Sequence, residues 1–444
     1  MQRLSQAQKR MLVALVIFIA GLSIGGVAGL VLPKVEQRSA IYLSLARARV
    51  KYALHPPQQQ VFVPQGQSVA TAVGATIQAM TATAVALATP TPSLTPTPTP
   101  TAGPTATPTV TPSPTPSPTP LPAQVHLKGI RHEFQQWNNC GPATLSMALS
   151  YWGWKGFQTG PAEFLKPNPR DKNVSPYEMQ DYVLQKTPYG FLWRMGGDEH
   201  LLKTLLANGF PVMVEKGFHG AGFEGWMGHY ELVVGYDDAK GVFITYDSYR
   251  GPDYELTYDA FAYDWRAFND LFLIPYDKSV EANLMAVLGP WADANWSYRH
   301  ALEIAQQETQ TLEGQALFFA WFNVGTSHVW LHEYVDAAHA YDQAFALYAQ
   351  LPEKERPWRM MWYQTGPYFA YYYSGRYQDV INLATSTLDA MSEPILEESY
   401  YWRARAEEAV GQHQRALDDA RKAVQLNPHF GPGWSLLRTL QGGG

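Results

Sequence analysis

From Ala88 to Pro122 the chain consists almost wholly of Thr, Pro, Ser and Ala, in runs such as TPTPTPTAGPTATPTVTPSPTPSPTP, without a charge and with hardly a large apolar side chain. A segment of this kind has nothing with which to bury a core. Proline holds it near polyproline II, so at ~3.1 Å per residue it can reach on the order of 100 Å. No compact domain can run through it, and it is expected to be a disordered linker. The 444-residue chain must therefore divide into an N-terminal portion before this tract and a C-terminal portion after it.

The N-terminal portion opens with Met11–Leu32, 22 residues rich in Val, Ile, Leu and Gly and free of charge. That length spans a hydrocarbon core, whereas a cleaved signal peptide has a shorter apolar stretch, so an uncleaved transmembrane anchor is expected at 11–32. Arg3, Lys9 and Arg10 precede it with no acid, while Lys34, Glu36 and Arg38 partly cancel after it. This asymmetry puts residues 1–10 in the cytoplasm and everything beyond the span outside, although Arg47, Arg49 and Lys51 weaken it. Residues 33–87 read as a stalk, mostly of low complexity, with one short helix near 40–53.

About 320 residues lie beyond Gln124, enough for two domains. The net charge is −6 and no basic cluster interleaves with aromatics, which argues against a nucleic-acid partner. Texture changes between Pro275 and Pro290. Gly-rich turns and short β-rich runs give way to long Ala-rich helical patterns, so one domain is expected at 124–278 and another at 291–440.

The first domain holds the chain's one cysteine, in FQQWNNCGPATLSMALSYWGW. A lone thiol in an exported chain is either inert and buried or kept free for its reactivity. Leu145, Ala148, Leu149 and Trp152 recur on one helical face, and proline favours a first turn, so Cys140 falls at a helix N-terminus. There the macrodipole favours a thiolate. A base and an orienting acceptor come later, in GHYELVVGYDDAKGVFITYDSYRG. Two strand-like runs, 229–236 and 241–246, flank the turn DDAKG, with His229 at the start of the first and Asp247 at the end of the second. In an antiparallel hairpin those ends lie side by side. His229, held by Asp247, is thus placed to take the thiol proton, and Gln135 or Gln136 to supply an amide for an oxyanion.

These stretches resemble the papain-like cysteine peptidases of the bacteriocin-processing, C39-like group. The resemblance covers about residues 124–276 and implies an α+β peptidase domain without cofactor or metal. It implies Cys140 as nucleophile, His229 as base, Asp247 as orienter and an oxyanion-stabilising glutamine, for which spacing favours Gln135 over Gln136. The implied substrate is a peptide or protein. Bacteriocin-processing members are fused to transporters and face the cytoplasm, whereas this chain has one span and no ATP-binding loop. Two other readings keep the fold: an idle domain that binds peptides or cell-wall fragments, and a thiol acyltransferase.

Nearby polar residues have plainer readings. His219 lies in a glycine-rich loop, Asp237 and Asp238 suit a hairpin turn, and His126 and His132 are expected at the surface. Asp264, Trp265 and Asn269 are expected to close the core.

Beyond 290, GRYQDVI at Gly375 and GQHQRAL at Gly411 stand 36 residues apart, each leading into an Ala-spaced helix. An earlier copy starts at Glu333. Small residues at helix crossings, a Gly/Tyr turn and a closing Pro resemble tetratricopeptide repeats, which implies an all-α array that binds a protein partner. Such repeats contact mainly their neighbours, so only a modest surface against the first domain is expected, and deleting 291–444 should leave that domain folded. His328, His332, Asp336 and His339 could share one helix face, but the pattern lacks the glutamate of a metalloprotease helix, and no metal is expected.

Overall fold

The computed structural model describes residues 46, 50, 59, 61–65, 120–168, 170–219 and 225–442. The expected cytoplasmic N-terminus, the span at 11–32, most of the stalk and the Thr/Pro tract up to Thr119 lie outside the described residues. Of the short helix expected near 40–53, Ala46 and Val50 are described, both helical. No helix among the described residues is long and apolar enough to cross a membrane.

The first part is an antiparallel sheet clothed by helices on both faces. Its elements are β1 (Gln124–His126), α1 (Cys140–Tyr151), α2 (Thr159–Leu165), α3 (Pro176–Lys186), β2 (Gly190–Arg194), α4 (Glu199–Ala207), β3 (Val212–Phe218) and β4 (Met227–Asp237). Next come β5 (Val242–Asp247), β6 (Gly251–Thr257), α5 (Tyr258–Trp265), β7 (Phe272–Tyr276) and α6 (Glu281–Leu288). The strand order is β2-β7-β3-β4-β5-β6, and β1 extends the same edge of β4 that β3 leaves at Val233. Because strand side chains alternate, Leu232 and Val234 meet Leu145 and Leu149 of α1 on one face. Val233 and Phe243 meet Leu202 of α4, Phe261 of α5 and Leu284 of α6 on the other. The helix starts are locally specified. Ser175 caps α3 in a reciprocal box with Glu178, with Pro176 at the first helical position. Asp198 caps α4 by accepting the Leu201 N–H at 2.6 Å.

The second part is all helical: α7 (Ala294–Glu308), α8 (Gly314–Trp330), α9 (Tyr334–Gln350), α10 (Met360–Tyr363), α11 (Gly366–Tyr373), α12 (Tyr377–Asp389), α13 (Glu397–Ala409), α14 (His413–Leu426) and α15 (Gly431–Gly442). Three hairpins, α8/α9, α11/α12 and α13/α14, turn through one left-handed residue each. Gly375 and Gly411 fill that place at φ +78° and +79°, and His332 fills it at +63°, where a side chain is strained. The histidine and carboxylate stripe is therefore divided between two helices. His328 ends α8 and binds Glu333 at 2.6 Å, His332 sits in the turn, and Asp336 and His339 belong to α9. Ala416, Ala420 and Ala423 of α14 are fully buried, which lets neighbouring backbones approach closely.

The two parts do not meet through a modest surface. One buried cluster runs without a break from α1 and β4 to Phe319, Tyr341, Trp362 and Tyr371 of the helical part. Trp226 stacks on Phe268 and meets Phe319, each at 5.7 Å, and Trp193 meets Trp330 at 4.8 Å. Polar bonds cross as well. Asn269 donates to Ser327 Oγ at 2.9 Å, and Asn323 donates to the Arg266 carbonyl at 2.7 Å. The fully buried Arg359 donates to the Trp226 carbonyl at 2.9 Å. Aromatic side chains make this seam, Trp226 from the approach to β4 and Trp193 from β2 against Phe319 and Trp330 of α8.

Candidate active site

Cys140 is the first residue of α1. The chain reaches it through Asn138 at φ +51°, and Gly141 lies so close to Met179 that a Cβ there would stand 2.9 Å from its Cε. The pre-helix loop is held from inside by Gln158, whose Oε1 accepts the Gln136 N–H at 2.8 Å and the Asn139 amide at 3.1 Å. Lys166, almost wholly buried, donates to the Asn138 carbonyl at 2.5 Å.

The structure brings Cys140, His229 and Asp247 together. His229 Nε2 lies 2.9 Å from Asp247 Oδ1, and the imidazole also hydrogen-bonds the Cys140 side chain. The Asp247 carboxylate is fixed in turn by the Tyr249 N–H at 2.7 Å and the Arg250 N–H at 3.2 Å. Phe218, at the end of β3, packs on the His229 ring at 4.6 Å.

Electrostatics derive from this geometry. Burial alone would raise the Cys140 thiol, but the hydrogen bond and charge of His229, with the Tyr230 backbone and the Lys166 charge, bring it below its ordinary value. Burial pulls His229 down, yet the charge and hydrogen bond of Asp247 and the bond to Cys140 outweigh it and raise the imidazole to about 10. Burial likewise works against the Asp247 carboxylate, and His229 with the two backbone N–H groups brings it down to about 2. The three shifts favour a thiolate–imidazolium pair beside an ionised aspartate.

Gln135 lies on the loop bonded to the end of β5. Its N–H donates to the Ser248 carbonyl at 2.9 Å, and its Oε1 accepts the Ser248 hydroxyl at 2.9 Å. With the carbonyl end held, the amide end is the donor left to act. Gln136 is exposed, and its backbone is tied to Gln158.

Several neighbours depart from the sequence reading or were invisible to it. His132 is half-buried and not a free surface residue: it packs between Phe134 and Tyr246, and its Nε2 meets the Asp247 carbonyl at 2.9 Å. Burial lowers its pKa. Behind His229 the wholly buried Lys216 and Glu231 pair at 2.9 Å, and Thr245 donates to the same glutamate. Nothing in the sequence marks this pair except its place in strands that are largely buried. His219 is exposed, and residues 220–224 of its loop lie outside the described residues. Asp237 accepts the Ala239 N–H in the hairpin turn.

Beside Cys140 a small cavity is lined by Gly141, Val174, Glu215, Tyr230 and Tyr363. Through Glu215 and Tyr363 it adjoins an apolar cavity of about 160 Å³ between the two parts of the chain. Tyr177, Trp330, Thr365 and Phe369 are shared with a third cavity of about 610 Å³, which Glu178 and Glu398 also line. Glu178, Glu397 and Glu398 bring carboxylate oxygens within 4.8 Å of one another, and among the described residues they are the side chains best placed to hold a cation. Burial and mutual repulsion raise all three carboxyls well above the usual range.

Residues 127–272 match the profile of a family described as Peptidase C39 like. Among solved structures the chain is similar to a candidate C39-like peptidase from Bacillus anthracis, at 15% identity over 35% of this chain and 98% of that one, with a TM-score of 0.29. No curated protein matches the chain. The match spans Cys140, His229 and Asp247, and cysteine-peptidase chemistry is what the family supports for this part of the chain.

Proposed function

We propose that the C39-like domain hydrolyses peptide bonds through Cys140, His229 and Asp247, outside the cytoplasm, on a chain anchored by residues 11–32. The observation that carries this reading is the Cys140–His229–Asp247 contact, with a thiol lowered and an imidazole raised by one another. The thiolate attacks the scissile carbonyl carbon, and the carbonyl π pair moves onto oxygen, which the Cys140 backbone N–H and the Gln135 amide would stabilise. As that pair returns, the C–N bond breaks, and the imidazolium gives its proton to the departing amine. The thioester is then attacked by water, from which neutral His229 takes a proton, and expulsion of the thiolate restores the ion pair.

The cavities between the domain and the helices would receive the substrate on the side of Cys140 away from β5, so the tetratricopeptide-like array would form part of the binding surface. The experiment that tests the reading is labelling with a peptidyl electrophile, comparing wild type with His229→Ala and tracking peptide cleavage in parallel. Labelling and cleavage that both depend on His229 support hydrolysis. Labelling without cleavage, but with transfer of the acyl group to an added amine, would convert the reading to an acyltransferase. A thiol that reacts only after denaturation would leave a peptide-binding domain.

A further inference from the structure

The short stretch VFVPQ, residues 61–65, lies in sequence between the apolar N-terminal run and the Thr/Pro tract, yet it rests on the helical array. Val61 and Val63 are 37% and 65% exposed while Phe62 and Pro64 are buried, so this non-helical stretch shows one face to a groove before the chain turns helical at Gln65. The Phe62 ring meets Phe345 edge-on at 5.0 Å and Tyr371 at 6.1 Å, above a floor that includes Tyr348, Met360 and Leu383. The Gln65 N–H donates to Asp379 Oδ1 at 2.7 Å, and Arg376 steadies the other oxygen of that carboxylate at 2.8 Å. An aromatic anchor, a second buried side chain two residues on and one backbone bond to a fixed acid make up the way a helical array holds an extended peptide.

We propose that this groove is a peptide-binding site of the array, that residues 61–65 are its ligand in cis, and that a partner presenting an extended segment with an aromatic residue two places before proline takes the same seat by displacing them. The groove's floor also touches the active-site side: Met360 flanks Arg359, which holds the Trp226 carbonyl, two residues before Gly228. The proposal stands independently of the chemistry at Cys140.

The test uses the full-length chain in detergent and a fluorescent peptide of residues 58–66, QQQVFVPQG. Tethering gives the cis segment an effective concentration on the order of millimolar, so wild type should bind the added peptide on the order of 10–100-fold more weakly than a Phe62→Ala chain. A peptide with its phenylalanine replaced by alanine should bind neither. Equal binding to both chains, or none to a Phe62→Ala chain whose thermal melt is unchanged, overturns the proposal. If that variant misfolds, a protease site inserted after Gly103 serves instead. After cleavage the N-terminal fragment should stay bound and be released by excess QQQVFVPQG but not by its alanine version, whereas a fragment that falls away at once, or that neither peptide frees, overturns the proposal.

Discussion

His229 of β4 and Asp247 of β5 are bonded at 2.9 Å although they are not opposite one another. Leu232 faces Tyr246, which sets Asp247 opposite Glu231 and diagonal to His229 on the same face of the sheet. The bond is therefore made along the diagonal of the hairpin, and the Lys216–Glu231 pair fills the positions directly across.

This arrangement fixes how Cys140 should react with pH. Its folded pKa is lowered, so iodoacetamide alkylation should rise through an inflection below the ordinary thiol value. His229→Ala removes the cation that lowers it and should move the inflection upward. Asp247→Ala should move it less, through a misplaced ring. In hydrolysis the profile should be bell-shaped, with the thiolate on the acid limb and the imidazolium, at about 10, on the alkaline limb. An inflection that is the same in wild type and His229→Ala would refute the pairing.

Gln135 should separate chemistry from reactivity. Gln135→Ala is expected to leave alkylation by iodoacetamide nearly unchanged, because that reaction forms no oxyanion. Cleavage of a fluorogenic peptide should fall by about 10²–10³ in kcat. Gln136→Ala serves as the comparison, and a larger loss there would reassign the oxyanion donor.

Removing the helical part should not leave a folded peptidase domain. A chain ending at residue 290 exposes Trp226, Trp193 and Phe268 and leaves Asn269 without Ser327, so aggregation or loss of a cooperative melt is expected. A subtler probe is Gly228→Ala, whose Cβ would stand 2.7 Å from Phe268 Cζ and 2.9 Å from Tyr363 Cδ1. It should cost about 1–3 kcal/mol by urea unfolding and lower activity through the adjacent His229. A stable, soluble fragment ending at 290 would contradict the shared core.

The buried pair behind the histidine allows a stability test. Lys216→Met leaves the Glu231 charge without its partner and should cost about 3–5 kcal/mol, read from urea midpoints. Lys216→Met with Glu231→Leu should recover most of that loss. A double variant as unstable as the single one would show that the loss comes from removing Lys216 itself, which also faces Asp264 at 3.6 Å, and not from a stranded Glu231 charge.

Local pattern makes the catalytic end of the domain legible in the sequence. The face through Leu145, Ala148 and Leu149 locates the start of α1 and so Cys140, and the hairpin around DDAKG carries His229 and Asp247 to one end because antiparallel strands have no other geometry. The seam between the two parts is not legible. Trp226, Phe268 and Tyr363 lie on irregular segments, a strand's approach or a four-residue helix, where no period announces burial. His132 is hidden for a similar reason: a bond to a backbone carbonyl leaves no trace in the acceptor's identity. The left-handed turn at His332 conceals the division of the histidine stripe, since glycine marks that place in the other two hairpins and is missing here.

The carboxyls of Glu178, Glu397 and Glu398 give the seam its own pH dependence. All three are raised in the folded chain by burial and by one another, so the folded state holds protons that the unfolded state has already released. For an acid with a raised folded pKa, the favourable contribution is complete below the unfolded value, near 4.3, and is lost as pH rises from there toward the folded value. Stability should therefore decline as pH climbs above about 5. Glu398→Gln removes one member of the cluster while keeping its shape. It should raise the melting temperature by about 2–4 °C at pH 8 and hardly at all at pH 5, read by scanning calorimetry. A gain of the same size at both pH values would mean that the substitution acts through packing, and a loss at pH 8 would mean that the ionised cluster is what holds the two parts together.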